Sequence, residues 1–157
     1  MSWGMVLEKG YPLLHEHGHD VYTPTLTGLG ERSHLPTRGT GLDTHVVDII
    51  QVLEYEDLNE IILVGHSYGR LVIGGVTEKL PERIRRLVYL YAYIPQDNKS
   101  AFNIVPGLET IYKQRALKEQ GREWLVASYT SEEVRATDSI DIEWMNSRLC
   151  PIAMAYP

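Results

Sequence analysis

Apolar residues along this chain follow two rhythms. At Ile61-Ile62-Leu63-Val64 four apolar residues run together, three of them β-branched, which predicts a buried parallel strand. After Gly69 the rhythm becomes helical, and Leu71, Val72, Val76 and Leu80 are expected on the inner face of a helix stopped by Pro81. A second helix is predicted over 43–55, with Val46, Ile49, Ile50 and Leu53 on one face and Asp43 as its N-cap. Leu87-Val88-Tyr89-Leu90-Tyr91-Ala92-Tyr93 reads as another strand, closed by Pro95.

Nearer the start, Trp3, Val6, Leu7 and Leu14 suggest an irregular helix, interrupted by Gly10 and Pro12 and ending near Gly18. Residues 20–26 read as a strand whose Pro24 favours a sheet edge, followed by a glycine-bearing loop over 27–34. Strands alternating with helices predict an α/β fold with a parallel sheet. Beyond Gln96 the pattern becomes helix without strand. A charged helical stretch is expected over about 108–127, with shorter pieces at 131–136, capped by Ser131, and at 140–149. The expected organisation is one domain, with a partial core at 1–97 and a helical cap or lid at 98–157.

Composition narrows the classes. The 157 residues are 43% hydrophobic and 23% charged, ordinary for a globular domain. A formal charge of -6, with no basic cluster beyond Arg83-Ile84-Arg85-Arg86, argues against a nucleic-acid surface. Cys150 is the single cysteine, so neither an internal disulfide nor a thiolate metal cluster is expected. No apolar run approaches the ~20 residues of a membrane span, and the start shows no signal-peptide pattern. The expectation is a cytoplasmic enzyme without membrane contact.

The candidate chemistry sits where the first strand meets its helix. Gly65-His66-Ser67-Tyr68-Gly69 is a G-x-S-x-G pattern, and a serine on a sharp strand-to-helix turn is exposed to a base and to backbone N–H donors. Ser67 is the expected nucleophile, and the N–H of Tyr68 an expected oxyanion donor near the positive end of the helix dipole. The competing structural role for Ser67 is an ordinary helix N-cap. The six histidines, His15, His17, His19, His34, His45 and His66, all precede Ser67. His34, on the loop after the 20–26 segment, is a candidate base, against the plainer view that it and Arg32 pin the loop. His45, in the first turn of a helix, is expected to be solvated. Alternate histidines at 15, 17 and 19 could hold zinc if extended and would splay apart on a helix.

Taken together the residues resemble an α/β-hydrolase, in the esterase group that includes plant methylesterases and hydroxynitrile lyases. The resemblance rests on the run from Gly18-His19-Asp20-Val21-Tyr22 through Gly28-Leu29-Gly30-Glu31-Arg32-Ser33-His34-Leu35. It rests also on Leu53-Glu54-Tyr55-Glu56-Asp57-Leu58, on Val64-Gly65-His66-Ser67-Tyr68-Gly69, and on Pro81-Glu82-Arg83-Ile84. It implies hydrolysis of small carboxylic esters by a serine nucleophile, no cofactor, and a helical cap shaping the pocket. It also implies that His66 is a core neighbour of the nucleophile.

Three departures stand out. By the resemblance the chain starts inside the family's first helix and looks truncated at both ends, without the strand that carries the second oxyanion donor. No histidine follows Ser67, where the family places its base, so a weak or promiscuous hydrolase is expected, with a non-catalytic remnant and a metal-assisted hydrolase as alternatives. Arg70 and Tyr91 replace a small residue and an aspartate. A gap in the family's sheet between the strand at Val21 and that at Ile61 would leave backbone groups unpaired, which predicts a homodimer or higher homo-oligomer that completes the sheet.

Overall fold

The computed structural model describes residues 10–90 and 101–153. These form two compact units, 10–39 with 117–153, and Thr40–Ala116. The first unit begins with helix α1, Tyr11–Glu16, and a 3-10 turn at Gly30–Arg32. The second holds α2, Leu42–Tyr55; β1, Ile61–His66; α3, Gly69–Lys79; a 3-10 turn at Pro81–Arg83; and β2, Ile84–Leu90. It also contains α4, Ala101–Ile104, and α5, Leu108–Arg115. The chain then returns to the first unit with β3, Leu125–Val126; α6, Ser139–Asn146; and β4, Ile152–Ala153.

In the Thr40–Ala116 unit, β1 and β2 pair in parallel, from Ile61 beside Ile84 to His66 beside Leu90, with one irregularity after Ile61. The link between them is α3, so the three make one right-sized β-α-β crossover. Helix α3 buries Val72, Ile73 and Val76 and half-buries Leu71, and Leu80, its C-cap residue, is half-buried too. Helix α2 lies against it through Val46 and Leu53, both buried, with Ile49 and Ile50 half-buried, the stripe expected from spacing. The two helices approach closely at Gly75, where a Cβ would stand 2.7 Å from Val46 Cγ2.

Arg83 closes the far end of this packing. Its Nη1 donates to the carbonyls of Leu58 at 3.0 Å and Leu53 at 3.4 Å, and meets Asp57 Oδ1 at 3.3 Å. A single guanidinium thereby satisfies carbonyls at the end of α2 and just beyond it. Between α4 and α5, Phe102 and Tyr112 meet edge to face at 5.7 Å.

In the other unit, α1 starts with Pro12 in its first turn and ends through Gly18, whose φ of 81° turns the chain so that the next N–H, that of His19, reaches back to Leu14 O at 3.2 Å. Pro12 stands in the first turn of this helix, and the expected earlier turns lie outside the described residues. The loop after it is held by Arg32, which donates to Thr25 O at 2.8 Å and Thr27 Oγ1 at 3.1 Å. Leu26, Leu29, Leu125 and Val126 are the buried apolar residues of this unit, and β3 pairs antiparallel with β4.

Several expectations need correction. Residues 20–26 carry no strand ladder; Pro24 has no N–H to give, and among the described residues no strand lies beside them. The strand at Ile61 is only half covered, for Ile62 and Val64 are 48% and 42% exposed while Leu63 and Gly65 turn toward α3. The parallel sheet thus has two strands among the described residues, where three were expected. Asp43 sits within the first turn of α2, and Gly41 is the cap residue, its N–H donating to Thr44 Oγ1 at 3.4 Å.

The stretch at 108–127 is helical only to Arg115. Gly121, at φ 83°, turns the chain, and β3 and β4 supply strands where helix alone was expected. At 131–136 the chain makes turns and no helix. Thr130 caps them, accepting from Glu133 N–H while its own N–H donates to the Glu133 carboxylate. Helix α6 fulfils the prediction for 140–149, shifted slightly and capped by Asp138. Residues 91–93 of the expected strand, and Tyr91 with them, lie outside the described residues. No helix among the described residues is long and apolar enough to cross a membrane.

Candidate active site

Strand β1 ends where the backbone must turn sharply into α3. Gly65 makes that possible: a Cβ there would lie 2.8 Å from Gly69 O and 2.8 Å from Ile73 Cδ1, so strand and helix touch through its missing side chain. Two residues on, Ser67 adopts φ 48°, the left-handed region that costs an L-residue with a β-carbon of order 1 kcal/mol or more. Its N–H continues the ladder to Leu90 O at 3.4 Å, and the side chain is exposed. Tyr68 returns to φ −58°, and α3 begins at Gly69 without any side-chain cap hydrogen bond. Ser67 is therefore not spent as a helix cap, the competing role open from sequence.

The peptide that follows Ser67 is gripped on its carbonyl side. Ser67 O accepts from the backbone N–H of Arg70 at 3.2 Å and from Arg70 Nη1 at 2.9 Å, and the arginine is only 6% exposed. Tyr68 is held through its ring. Its hydroxyl and His45 Nδ1 lie 2.8 Å apart, with the rings edge to face at 5.6 Å. Burial, then Tyr112 and Asp43, push the phenol well above its ordinary pKa, so it keeps its proton. The Tyr68 O–H donates to Nδ1 when the imidazole carries its own proton on Nε2.

His45 is thus buried, at 2% exposure, where solvation was expected. The reason lies in its register: 45, 49 and 53 fall on one helix stripe, so His45 extends the apolar face that packs on α3. His66 is half-buried beside Ser67, and burial lowers its pKa, favouring the neutral ring. His34 is exposed and belongs to the 10–39 unit, whereas Ser67 and Tyr68 belong to the Thr40–Ala116 unit. Of the three site residues expected from sequence, Ser67 and Tyr68 form the turn itself.

The zinc alternative finds no support. His15 stacks on Tyr11, and His17 Nδ1–H donates to Leu13 O at 2.7 Å. Among the described residues no group of three or more His, Cys, Asp or Glu side chains is placed to hold a metal ion. Sequence reasoning noted Arg70 only as a departure and gave Tyr68 only a backbone role. Both side chains act on the turn, and the spacing from Ser67 to Arg70, three residues across a helix start, is the signal that was available.

A strained, exposed serine between a strand and a helix, with N–H groups at the helix start, can attack an acyl carbon and receive the resulting oxyanion. The profile of the alpha/beta hydrolase family matches residues 2–148. A carbendazim-hydrolysing esterase from Nocardioides sp. (strain SG-4G) is 45% identical over 93 residues, 59% of this chain and 38% of that protein. Salicylic acid-binding protein 2 of Nicotiana tabacum is 32% identical over 85 residues, 54% of this chain and 33% of its own length. The chain thus spans well under half the length of these relatives. In structure it is similar to an extracellular α/β-hydrolase from a Paenibacillus species, with a TM-score of 0.71 at 22% identity, covering 95% of this chain and 60% of the other. Fold, turn and family match agree, and the chain belongs to the α/β-hydrolase family.

Proposed function

We propose that this protein is a serine-dependent hydrolase of small carboxylic esters, in which Ser67 attacks and the N–H of Tyr68 helps hold the oxyanion. The observation that carries the reading is the left-handed Ser67, at φ 48°, exposed between β1 and α3 with no capping duty. Strain at a non-glycine residue is kept only where surrounding structure enforces it, and a nucleophile's turn is a place where it serves a purpose. The esterase relative supports the same reaction class. His34, another local histidine, or a residue from a second copy supplies the base. Oxyanion stabilisation and binding alone retain ~10³-fold acceleration when triad partners are removed, so weak activity toward activated esters is the expected level.

In this reading residues 98–157 serve as the cap over the acyl or alcohol pocket, and no cofactor takes part. The protein acts in the cytoplasm, in keeping with a single cysteine and no internal disulfide. Copies associate as a homodimer or larger assembly, supported by the exposed Ile62 and Val64 on β1 and by a parallel sheet of two strands among the described residues. Sedimentation at micromolar concentration is expected to show the dimer or a larger species, and a strict monomer contradicts that part.

Hydrolysis of p-nitrophenyl acetate tests the activity. Wild type is expected to exceed Ser67→Ala, the variant keeping at most the residual acceleration that oxyanion stabilisation and binding supply. Equal rates for the two proteins would overturn the proposal and favour a remnant that keeps the turn as architecture.

A further inference from the structure

We infer that Arg70 is a positioning residue for the oxyanion, acting through the peptide between Ser67 and Tyr68. The inference rests on the proposed hydrolase reading and adds a role for a side chain outside the family pattern.

The carbonyl that Arg70 grips and the N–H expected to receive the oxyanion are two ends of one amide. A trans peptide is planar, with C=O and N–H pointing in opposite directions, so fixing the oxygen also fixes the direction of the Tyr68 N–H. Ser67 O accepts two hydrogen bonds from the same residue, Arg70 Nη1 at 2.9 Å and Arg70 N–H at 3.2 Å. The first is charge-assisted and, at 6% exposure, little diluted by water. A cation on the oxygen draws electron density through the amide and makes its N–H a stronger donor, as hydrogen bonds in a chain polarise one another.

The other end of the same residue is also tied. The Tyr68 hydroxyl is 2.8 Å from His45 Nδ1, a second tie on the residue that carries the donor. Arg70 thereby sharpens the direction and strength of a donor that a small residue would leave to the helix start alone. It does not touch the ester, and the work it does appears only as charge develops on the acyl oxygen.

Arg70→Gln keeps a neutral donor at this position and Arg70→Lys keeps a charged one. Both are compared with wild type for kcat and KM on p-nitrophenyl acetate and for inhibition by an aryl trifluoromethyl ketone, whose adduct with Ser67 carries the oxyanion. The expected result is that Arg70→Gln loses about tenfold in kcat and in ketone affinity while KM stays within about twofold. Arg70→Lys is expected to keep most of both. Equal kcat in wild type and Arg70→Gln, or equal losses in Gln and Lys, would overturn the inference. A loss in KM matching that in kcat would also overturn it, since a general loosening of the turn would do that. If Arg70→Gln does not fold, Arg70→Lys decides by the same ratio, with wild-type ketone affinity and KM required. Should wild type itself fail to exceed Ser67→Ala, the hydrolase reading has failed first, and this inference falls with it.

Discussion

Adding one methyl group at Gly65 should have a large effect, because the turn is built on the absence of that atom. In Gly65→Ala the new Cβ would meet Gly69 O at 2.8 Å, Gly69 C at 2.9 Å and Ile73 Cδ1 at 2.8 Å. The isoleucine can rotate, but the first two atoms are backbone at the start of α3, so the helix itself must move by several tenths of an ångström. Overpacking of this kind costs about 1–3 kcal/mol. For a chain of this length that corresponds to a fall in Tm of roughly 2–4 °C per kcal/mol. Gly74 is the matched control: a Cβ there meets nothing within 4 Å, and alanine in a helix interior is favoured over glycine by up to about 1 kcal/mol. The two substitutions should therefore have opposite signs. Far-UV circular dichroism in urea is the suitable assay, because residues 40–116 contain no tryptophan to report on this unit. The reasoning is refuted if Gly65→Ala lies within ~0.5 kcal/mol of wild type, the range of ordinary surface changes.

Removing the Tyr68 hydroxyl, as Tyr68→Phe, takes away the His45 bond and is expected to cost about 0.5–1.5 kcal/mol by urea denaturation at neutral pH. The same group gives an alkaline signature. Its folded pKa lies above the ordinary value of 10.0, so the unfolded chain loses this proton first. Its contribution is complete below pH 10 and is lost as pH rises above that, at about 1.4 kcal/mol per pH unit; Tyr68→Phe should lack that component, and identical alkaline slopes would refute it. Arg83→Met leaves Leu53 O and Leu58 O without their guanidinium donor and should cost about 1–3 kcal/mol, whereas Asp57→Asn, at an exposed ion pair, should cost under ~1 kcal/mol. Equal effects of these two would place the bond energy in the ion pair and contradict the geometry.

What could be read from sequence was whatever local chemistry decides. Helix α2 carries its stripe at the expected spacing, and the serine lies between strand and helix because an apolar run, two glycines and a helical run permit little else. What could not be read depends on neighbours. Residues 20–26 have strand composition, but a strand is a pairing, and no described partner lies beside them. The two-residue strands β3 and β4 carry no periodicity, since each is shorter than one full alternation. His45, expected to be solvated in the first turn of a helix, is buried because it also lies on the α2 stripe. Its burial depends on Tyr68, twenty-three residues away, whose phenol faces it. Arg70 was visible as an anomaly, yet only the fold shows that its guanidinium returns to Ser67 O.

The account turns on whether the Ser67 hydroxyl is an activated nucleophile, and intact-mass spectrometry after treatment with a fluorophosphonate probe tests that most directly. Stoichiometric addition of one phosphonyl group to wild type, absent in Ser67→Ala, is the predicted result. Folded wild-type protein that takes up no label, or labels as fast as Ser67→Ala, would contradict the account.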